Sequence, residues 1–117
     1  MNKELKGLRM IITFVDRGQG EKVTKLYEKL GAANHQIFLG YGTASSEIYA
    51  YLGFGMIEKD VVISLVDVDL VPFMFNALKE EMNFNSPGHG IACSVPILSV
   101  GGQRALNAIL GITEERN

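Results

Sequence analysis

The feature that most constrains the fold of this chain is a strand–helix–strand pattern that occurs twice along its 117 residues. In the first copy, the apolar run 8–15 is followed by a helical pattern and by a second strand at 34–41. In the second copy, the β-branched run 59–66 is followed by another helical pattern and by a strand at 91–95. Strands that flank a helix through short connections run parallel to each other through a right-handed crossover. The order of elements therefore predicts a duplicated βαβ unit in one domain.

Both helical segments carry apolar residues on one face. In the first they are Val23, Leu26, Tyr27 and Leu30. Gly31 follows them as a typical residue beyond a helix end. In the second they are Leu70, Phe73, Met74, Ala77, Leu78 and Met82. Pro72 suits the first turn of this helix, and Asp67 or Asp69 can cap it. Similar spacings predict a short helix in the linker, between Ser45 and Gly53, and another near the C-terminus, at Leu106, Ile109 and Leu110.

The two units predict an α+β fold of the ferredoxin-like type, βαββαβ, with one antiparallel four-stranded sheet and both helices on one face. The first and third strands are apolar on both sides. Their alternating sets are Met10, Ile12 and Phe14 against Ile11, Thr13 and Val15, and Val61, Ile63 and Leu65 against Val62, Ser64 and Val66. A lone chain would expose one set as a large apolar patch. We therefore expect the second face to be buried against other copies of the chain.

The composition argues against several classes of function. Eleven Lys+Arg against thirteen Asp+Glu give a net charge of -2, which does not favour a broad nucleic-acid-binding surface. One cysteine and two histidines predict neither a disulfide framework nor a thiolate or histidine-rich metal site. No run of about eighteen apolar residues is present, so we expect no membrane insertion. The N-terminus lacks the pattern of a secretory signal, and we expect a cytoplasmic protein.

Two loops with paired glycines are candidates for ligand binding. Gly88, His89 and Gly90 precede the fourth strand, and Gly40 and Gly42 end the second. Glycine lets backbone N–H groups approach a ligand closely, and successive N–H groups can bind an anion. Each loop is also explained as a tight turn between two elements. Spacing alone favours the turn and leaves the binding interpretation open.

A third loop, at residues 16–22, lies before the first helix, where a helix N-terminus attracts anions. Its spacing fits neither the Walker pattern nor the dinucleotide pattern. Glu21 would also oppose an anion there. We therefore interpret this loop as a structural turn. Lys59 and Arg104 are the cations that we most expect to face a cleft.

No residue pattern indicates catalysis. The candidate bases and acids are His35, His89, Asp16, Asp67 and Asp69. No Ser/His/Asp or Cys/His spacing supports a nucleophile among them. Cys93 has no base near it in sequence, and we expect it to be a small core residue. The residue pattern alone therefore supports no catalytic mechanism.

Four features, in this order and placement, resemble the P-II family of signal-transduction proteins. The first is the duplicated βαβ unit with a linker between its halves. The second is Gly-Tyr-Gly at 40–42, which is similar to the G-F-G at the base of that family's T-loop. The third is Pro-Gly-His-Gly-Ile at 87–91, which is similar to the G-D-G of its nucleotide-holding B-loop. The fourth is Val-Pro at 95–96 with Ser-Val at 99–100, similar to the segment before its C-loop.

The resemblance implies a homotrimer whose sheets form an inner barrel with three clefts between subunits. In that family the clefts bind ATP or ADP and, through magnesium, 2-oxoglutarate, and the T-loop regulates enzymes, transporters or transcription factors of nitrogen metabolism. Members of the family catalyse nothing of note, so the resemblance implies a protein that is not an enzyme. It implies a single domain over 1–117, a shortened T-loop region at about 43–58 and a C-terminal tail at about 101–117. The ligand-binding residues that it implies are Gly40, Gly42, Thr43, Lys59, Gly88, His89, Gly90 and Arg104.

Several charged or polar residues typical of the family are replaced in this sequence. Ile91 follows the B-loop glycines, Ala44 stands for the T-loop glutamine, and Ile63 stands for the acidic residue that meets adenine. A triphosphate needs compensating cations. The resemblance therefore implies a divergent member that takes ATP, ADP, AMP or a different small ligand. Two alternatives stay open: a trimeric metal-binding protein of the divalent-cation-tolerance type and, less favoured, an acylphosphatase-like enzyme that uses Arg17.

Overall fold

The strands and helices occur in the predicted order. The computed structural model describes residues 7–42 and 58–109. The elements are β1 (Leu8–Asp16), α1 (Gly20–Lys29), β2 (His35–Tyr41), β3 (Glu58–Asp67), a 3₁₀ helix (Val68–Leu70), α2 (Val71–Met82), β4 (Ile91–Pro96) and α3 (Gln103–Ile109). Every strand and helix predicted within these ranges is present, and the ends differ from the prediction by a few residues at most.

The four strands form one sheet in the order β2-β3-β1-β4. Every neighbouring pair is antiparallel. The two strands that flank a helix therefore run parallel to each other without being hydrogen-bonded neighbours, because a strand of the other unit lies between them. This is the split βαβ arrangement, and the predicted α+β, ferredoxin-like fold is confirmed.

The hydrophobic core lies between α1, α2 and one side of the sheet, which we call the covered face. Alternate residues of β1 and β3 point to this side because successive side chains of a strand face opposite ways. The core residues are Ile11, Val15, Val23, Leu26, Tyr27, Ala32, Val62, Val66, Met74, Ala77, Leu78 and Met82. Burial of each large aliphatic side chain contributes about 1.5–3 kcal/mol. This layer therefore supplies the main part of the folding free energy.

The opposite side of the sheet, which we call the open face, is not sealed by a second layer of described residues. It carries Met10, Ile12, Phe14, Phe38, Val61, Ile63, Leu65, Ile91, Cys93 and Val95. Phe38 is 47% exposed and Ile91 is 45% exposed. The strands of the sheet interior, β1 and β3, are thus apolar on both sides, as the sequence predicts.

The prediction that Cys93 is a core residue is wrong, because its side chain is exposed. Cys93 lies in β4, an edge strand, directly opposite Ile12 of β1. Ile12 points to the open face, and so does Cys93. The alternation of the strand, and not the residue type, decides where this thiol lies.

The ends of the helices follow the predicted signals. Asp67 Oδ1 accepts the backbone N–H of Asp69 at 2.8 Å. Of the two predicted caps, Asp67 is therefore the one in use, and it caps the 3₁₀ helix that leads into α2. Pro72 lies in the first turn of α2. None of the described helices is long and apolar enough to cross a membrane.

Three predictions fall outside the described residues. They are the short helix between Ser45 and Gly53, the role of Thr43 in ligand binding, and the part of the tail beyond Ile109. The helix α3 confirms that the tail is helical over 103–109.

Candidate functional site

One end of the sheet holds both of the predicted glycine loops. β1 and β2 end there, and β3 and β4 begin there. In the register of the strands, Asp16 is opposite Lys59, and Lys59 is opposite Gly40. Phe14, two residues before Asp16, is opposite Ile91. We call this end of the sheet the loop end.

The predicted ligand residues lie at both edges of the loop end. Gly40 and Gly42 are at the β2 edge, with Lys59 beside them in β3. At the other edge, before β4, are Gly88, His89 and Gly90. Three strand spacings of ~4.8 Å, roughly 14 Å in total, separate the two edges. Within one chain, Gly40 therefore lies beside Lys59, but the two glycine loops lie apart. Arg104 is exposed on α3.

Gly90 has a structural reason to be glycine. Its φ is +132°, and a β carbon built there would lie 2.7 Å from the Phe14 carbonyl oxygen and 2.7 Å from Phe84 Cζ. Both distances are far below a normal contact. The tight turn predicted from the glycine spacing is therefore present at Gly90, where the backbone of the loop passes close to the sheet.

A cavity of about 460 Å³ lies beside this loop, between α2 and β4. The residues that line it include Phe75, Phe84 and, from β4, Ile91 and Ala92. Lys79 and the amides of Asn76 and Asn85 also line it. The cavity thus combines apolar and aromatic walls with a few polar groups, which is the usual character of a small-molecule site.

An ion pair joins the two central strands, β1 and β3, at the loop end. Lys59 Nζ donates to Asp16 Oδ1 at 2.7 Å. Lys59 is one of the few buried polar residues of the described part of the chain. A buried ammonium needs a partner of opposite charge, and Asp16 supplies it from the neighbouring strand. The charge of Lys59 is therefore already compensated within the chain.

In the turn between β1 and α1, a carboxylate of the chain occupies the position that an external anion would take. Asp60 Oδ2 accepts the backbone N–H groups of Gly18 and Gly20, both at 2.9 Å. A β carbon on Gly20 would lie 2.9 Å from the same oxygen, so the close approach requires glycine. The interpretation of residues 16–22 as a structural turn agrees with this geometry.

The arginine of this turn is also paired. Arg17 donates to Glu58 Oε1 at 2.8 Å. This hydrogen bond and the charge of Glu58 raise the pKa of Arg17 above its usual value. An acylphosphatase-like site needs an arginine directed at an empty phosphate loop, and here both the arginine and the loop are engaged by β3.

Sequence reasoning missed Glu58 and Asp60 as partners of this turn. The sequence does contain a feature that indicates these contacts. The third strand is rich in β-branched residues, but it begins with the charged run Glu58, Lys59 and Asp60. Three charges at the start of a buried strand need partners. The chain offers them in the polar turn at 16–20, which β-pairing places alongside.

His35 takes part in an internal hydrogen-bond network. Its Nε2 lies 2.8 Å from the Ala32 carbonyl oxygen, so this nitrogen donates. Its Nδ1 then accepts from the Ser64 hydroxyl at 2.8 Å. The ring also lies 5.8 Å from that of Tyr27. Both ring nitrogens of His35 are thus engaged in contacts within the chain.

Tyr27 and Thr13 form a second polar contact on the covered face, with Oη and Oγ1 2.7 Å apart. Burial raises the pKa of Tyr27 to about 12, and the hydrogen bond with Thr13 offsets part of that effect.

Among the residues that the structure describes, no group of three or more His, Cys, Asp or Glu side chains could hold a metal ion. No observation therefore favours the metal-binding alternative.

No protein-family model matches the sequence, and no curated protein matches it significantly. Solved structures do resemble its fold. A nitrogen regulatory PII-like protein from Thiomonas intermedia K12, bound to ADP, AMP and bicarbonate, has a TM-score of 0.60 and 20% identity, over 81% of this chain and 93% of that chain. A PII-like signalling protein from Thermus thermophilus has a TM-score of 0.61 and 17% identity, over 82% and 91%.

PII from Arabidopsis thaliana, bound to citrate, has a TM-score of 0.58 and 17% identity, over 79% of this chain and 78% of that chain. Identities this low show a shared fold. At the level of the fold, they confirm the P-II resemblance predicted from the sequence.

Proposed function

We propose that the protein is a P-II-like sensor that binds a nucleotide or a related small anion between two copies of the chain and acts on partner proteins without catalysing a reaction. The observation that carries the proposal is the placement of the two glycine loops at the same end of the sheet and at opposite edges. In a ring of copies, the β4 edge of one sheet faces the β2 edge of the next. The two loops then meet between chains.

The open face supports such a ring. Its apolar side chains include the exposed Phe38 and Ile91 at its two edges. A face of this kind is buried when sheets of several copies turn toward a common axis. The P-II resemblance implies three copies, and we propose a homotrimer in which the helices lie outside.

The β4 side of the proposed cleft suits an anion attached to a planar group. Gly88 and Gly90 both have positive φ, and loops of this kind can direct N–H groups at an anion. The cavity beside them has aromatic walls, and Lys79 lines it. His89 is exposed on the same loop. The ADP and AMP in the Thiomonas structure support nucleotides as the ligand class.

The resemblance also supports the wider role. We propose that the protein regulates nitrogen or related metabolism in the cytoplasm, through a target enzyme, transporter or regulator. In this proposal residues 1–117 form a single domain, the segment 43–58 takes the place of the T-loop, and the tail 101–117 that of the C-loop region. The proposed ligand residues are those predicted from the sequence: Gly40, Gly42, Thr43, Lys59, Gly88, His89, Gly90 and Arg104.

The proposal is tested by sedimentation and by calorimetry with ATP, ADP, AMP and 2-oxoglutarate. We expect a trimer that binds at least one of these ligands. His89→Ala should weaken binding about tenfold, because a hydrogen bond to a charged group is lost. Lys29→Ala, an exposed lysine in the last turn of α1 and so at the end of that helix far from the loop end, is the matched control and should bind normally. A monomer in dilute neutral buffer, or no binding at millimolar ligand, contradicts the proposal.

A further inference from the structure

A groove of about 380 Å³ lies between α1 and α2, and the described residues that line it all belong to these two helices. We call it the lysine groove. Leu26 and Met82, which are part of the hydrophobic core, form its apolar floor. The exposed side chains that line it are Lys22, Lys25, Lys29 and Glu81. Three ammonium groups against one carboxylate give the groove a formal charge of +2, in a chain whose net charge is -2.

The three lysines form one stripe along α1. Lys25 is three residues after Lys22 and four before Lys29, so all three lie on the same side of the helix. Like charges at these spacings oppose helix formation slightly. In the described part of the chain, no carboxylate lies within ion-pairing distance of any of the three ammonium groups. The fold therefore gains no ion pair from the stripe, and its charges stay available to a partner.

The stripe is narrow, because exposed carboxylates lie on the same two helices outside the groove. They are Glu21 and Glu28 on α1 and Glu80 on α2. A broad polyanion, such as a nucleic acid or an anionic membrane, would meet these carboxylates together with the lysines. A single segment laid along the groove would meet mainly the lysines, and its apolar side chains would reach the floor. The charges therefore favour one acidic segment over a broad anionic surface.

We infer that the lysine groove docks an acidic helical segment of a partner protein, with carboxylates opposite the three lysines and an apolar side chain against Leu26 and Met82. Lys22 and Lys29 lie about 10 Å apart along the axis of α1. Carboxylates at the same spacing on a second helix can therefore pair with all three lysines. The inference rests on the proposed function, in which the protein acts on partner proteins and the helices lie outside the ring. The groove then stays accessible in the assembly.

The experiment is fluorescence anisotropy with a labelled helical peptide of about 14 residues, roughly 20 Å long. The peptide carries Glu at positions i, i+3 and i+7 and Leu at i+4, on one side of the helix. We expect saturable binding that weakens at least about tenfold between low salt and roughly 0.5 M salt, because salt screens exposed charges. Replacing the three Glu by Gln, or the Leu by Ser, should each weaken binding about tenfold.

Variants of the protein test which side chains are responsible. Lys25→Gln/Lys29→Gln removes two ammonium groups from the groove and keeps good helix formers on an exposed surface. It should weaken peptide binding about tenfold, because two ion pairs with the peptide are lost. Glu28→Gln, on α1 outside the groove, is the matched control and should stay within about twofold of the native affinity. Both variants should bind nucleotides as the native chain does, because the groove is separate from the proposed cleft.

Absence of peptide binding at millimolar concentration overturns the inference, and this result needs no variant to fold. Equal peptide binding by the native chain and by folded Lys25→Gln/Lys29→Gln also overturns it. So does tighter binding of a DNA duplex, or of vesicles of phosphatidylserine and phosphatidylcholine in equal parts, because the stripe would then serve a broad polyanion. Failure of the proposed function is seen separately, in sedimentation as a monomer or in calorimetry as absence of nucleotide binding. The two failures are thus distinguishable.

Discussion

The two faces of the same sheet hold their buried polar residues in different ways. On the covered face these side chains are neutral and bonded to other side chains of the core: Thr13 to Tyr27, and Ser64 to His35. On the open face the buried polar side chain is the charged Lys59, and its partner Asp16 is partly exposed. The covered face is complete within one chain. The open face, which exposes apolar side chains and ends in an ion pair, has the features of a surface that other copies and a ligand complete.

The largest predicted effect on the free energy of unfolding is at Ile11, and it is compared with the effect at its neighbour in β1, Ile12. Ile11 is fully buried on the covered face, and Ile12 is half-buried on the open face. Ile11→Ala should lower the free energy of unfolding by about 2–5 kcal/mol at any protein concentration, because it leaves a cavity in the core. The loss in Ile12→Ala should instead depend on concentration, because the proposed assembly would bury that residue.

Urea unfolding at two protein concentrations, followed for both variants, measures this difference. The native chain at the same two concentrations is the reference. If Ile12→Ala is destabilised equally at both concentrations, the open face is not an interface between copies.

The second prediction concerns Gly90, where the loop passes between the sheet and Phe84. Gly90→Ala places a β carbon against both Phe14 and Phe84, and it should lower the free energy of unfolding by about 1–3 kcal/mol through overpacking and strain. Gly101→Ala has no atom within 4 Å of the new carbon, and its effect should stay within about 0.5 kcal/mol. Equal stability of the two variants would show that the loop relaxes freely.

The sequence is sufficient to predict the fold because its patterns are local. The alternation in β1 and β3, the helical spacing of the two helices and the glycine after α1 each depend on residues close together in the chain. The strand order then follows from the rule for crossover connections. Cys93 is the exception, because its residue type favours burial whereas the alternation of its edge strand places it on the open face.

The candidate site is less predictable because its contacts join distant parts of the chain. Spacing along the sequence cannot show that Asp16 neutralises Lys59 or that Asp60 occupies the turn before α1, since both contacts depend on the register of β1 and β3. Composition likewise cannot show that the two glycine loops lie at opposite edges. The residue types of the site are thus predictable from the sequence, whereas the partners that compensate their charges are not.

The third prediction uses the polar pair of the covered face and pH. The unfolded chain releases the Tyr27 proton near pH 10, as a free tyrosine does, whereas the folded chain holds it to about pH 12. The folded state therefore binds more protons in this window. Its stability should be unaffected by this group below about pH 10 and should fall by up to about 1.4 kcal/mol per pH unit above it.

Unfolding of the native chain and of Tyr27→Phe, at roughly pH 9 and roughly pH 11, measures the contribution of this group. At the lower pH the variant should lose about 1–3 kcal/mol, because the Thr13 hydroxyl is left buried without its partner. The variant should then lose less stability than the native chain as the pH rises. Parallel losses would mean that Tyr27 is accessible to solvent in the folded state.

The smallest expected effect on stability is at Cys93, and its value lies in reporting on the open face. Cys93→Ser should change the free energy of unfolding by no more than about 0.5 kcal/mol, because the side chain is exposed within one chain. If the copies assemble as proposed, however, maleimide should label Cys93 slowly, because neighbouring copies would then cover the open face. Phe38→Asp places a charge on that face at the opposite edge and should restore fast labelling by separating the copies. The urea-unfolded chain sets the upper rate. Labelling of the native protein at that upper rate would mean that the open face stays accessible. The open face would then not be an interface between copies.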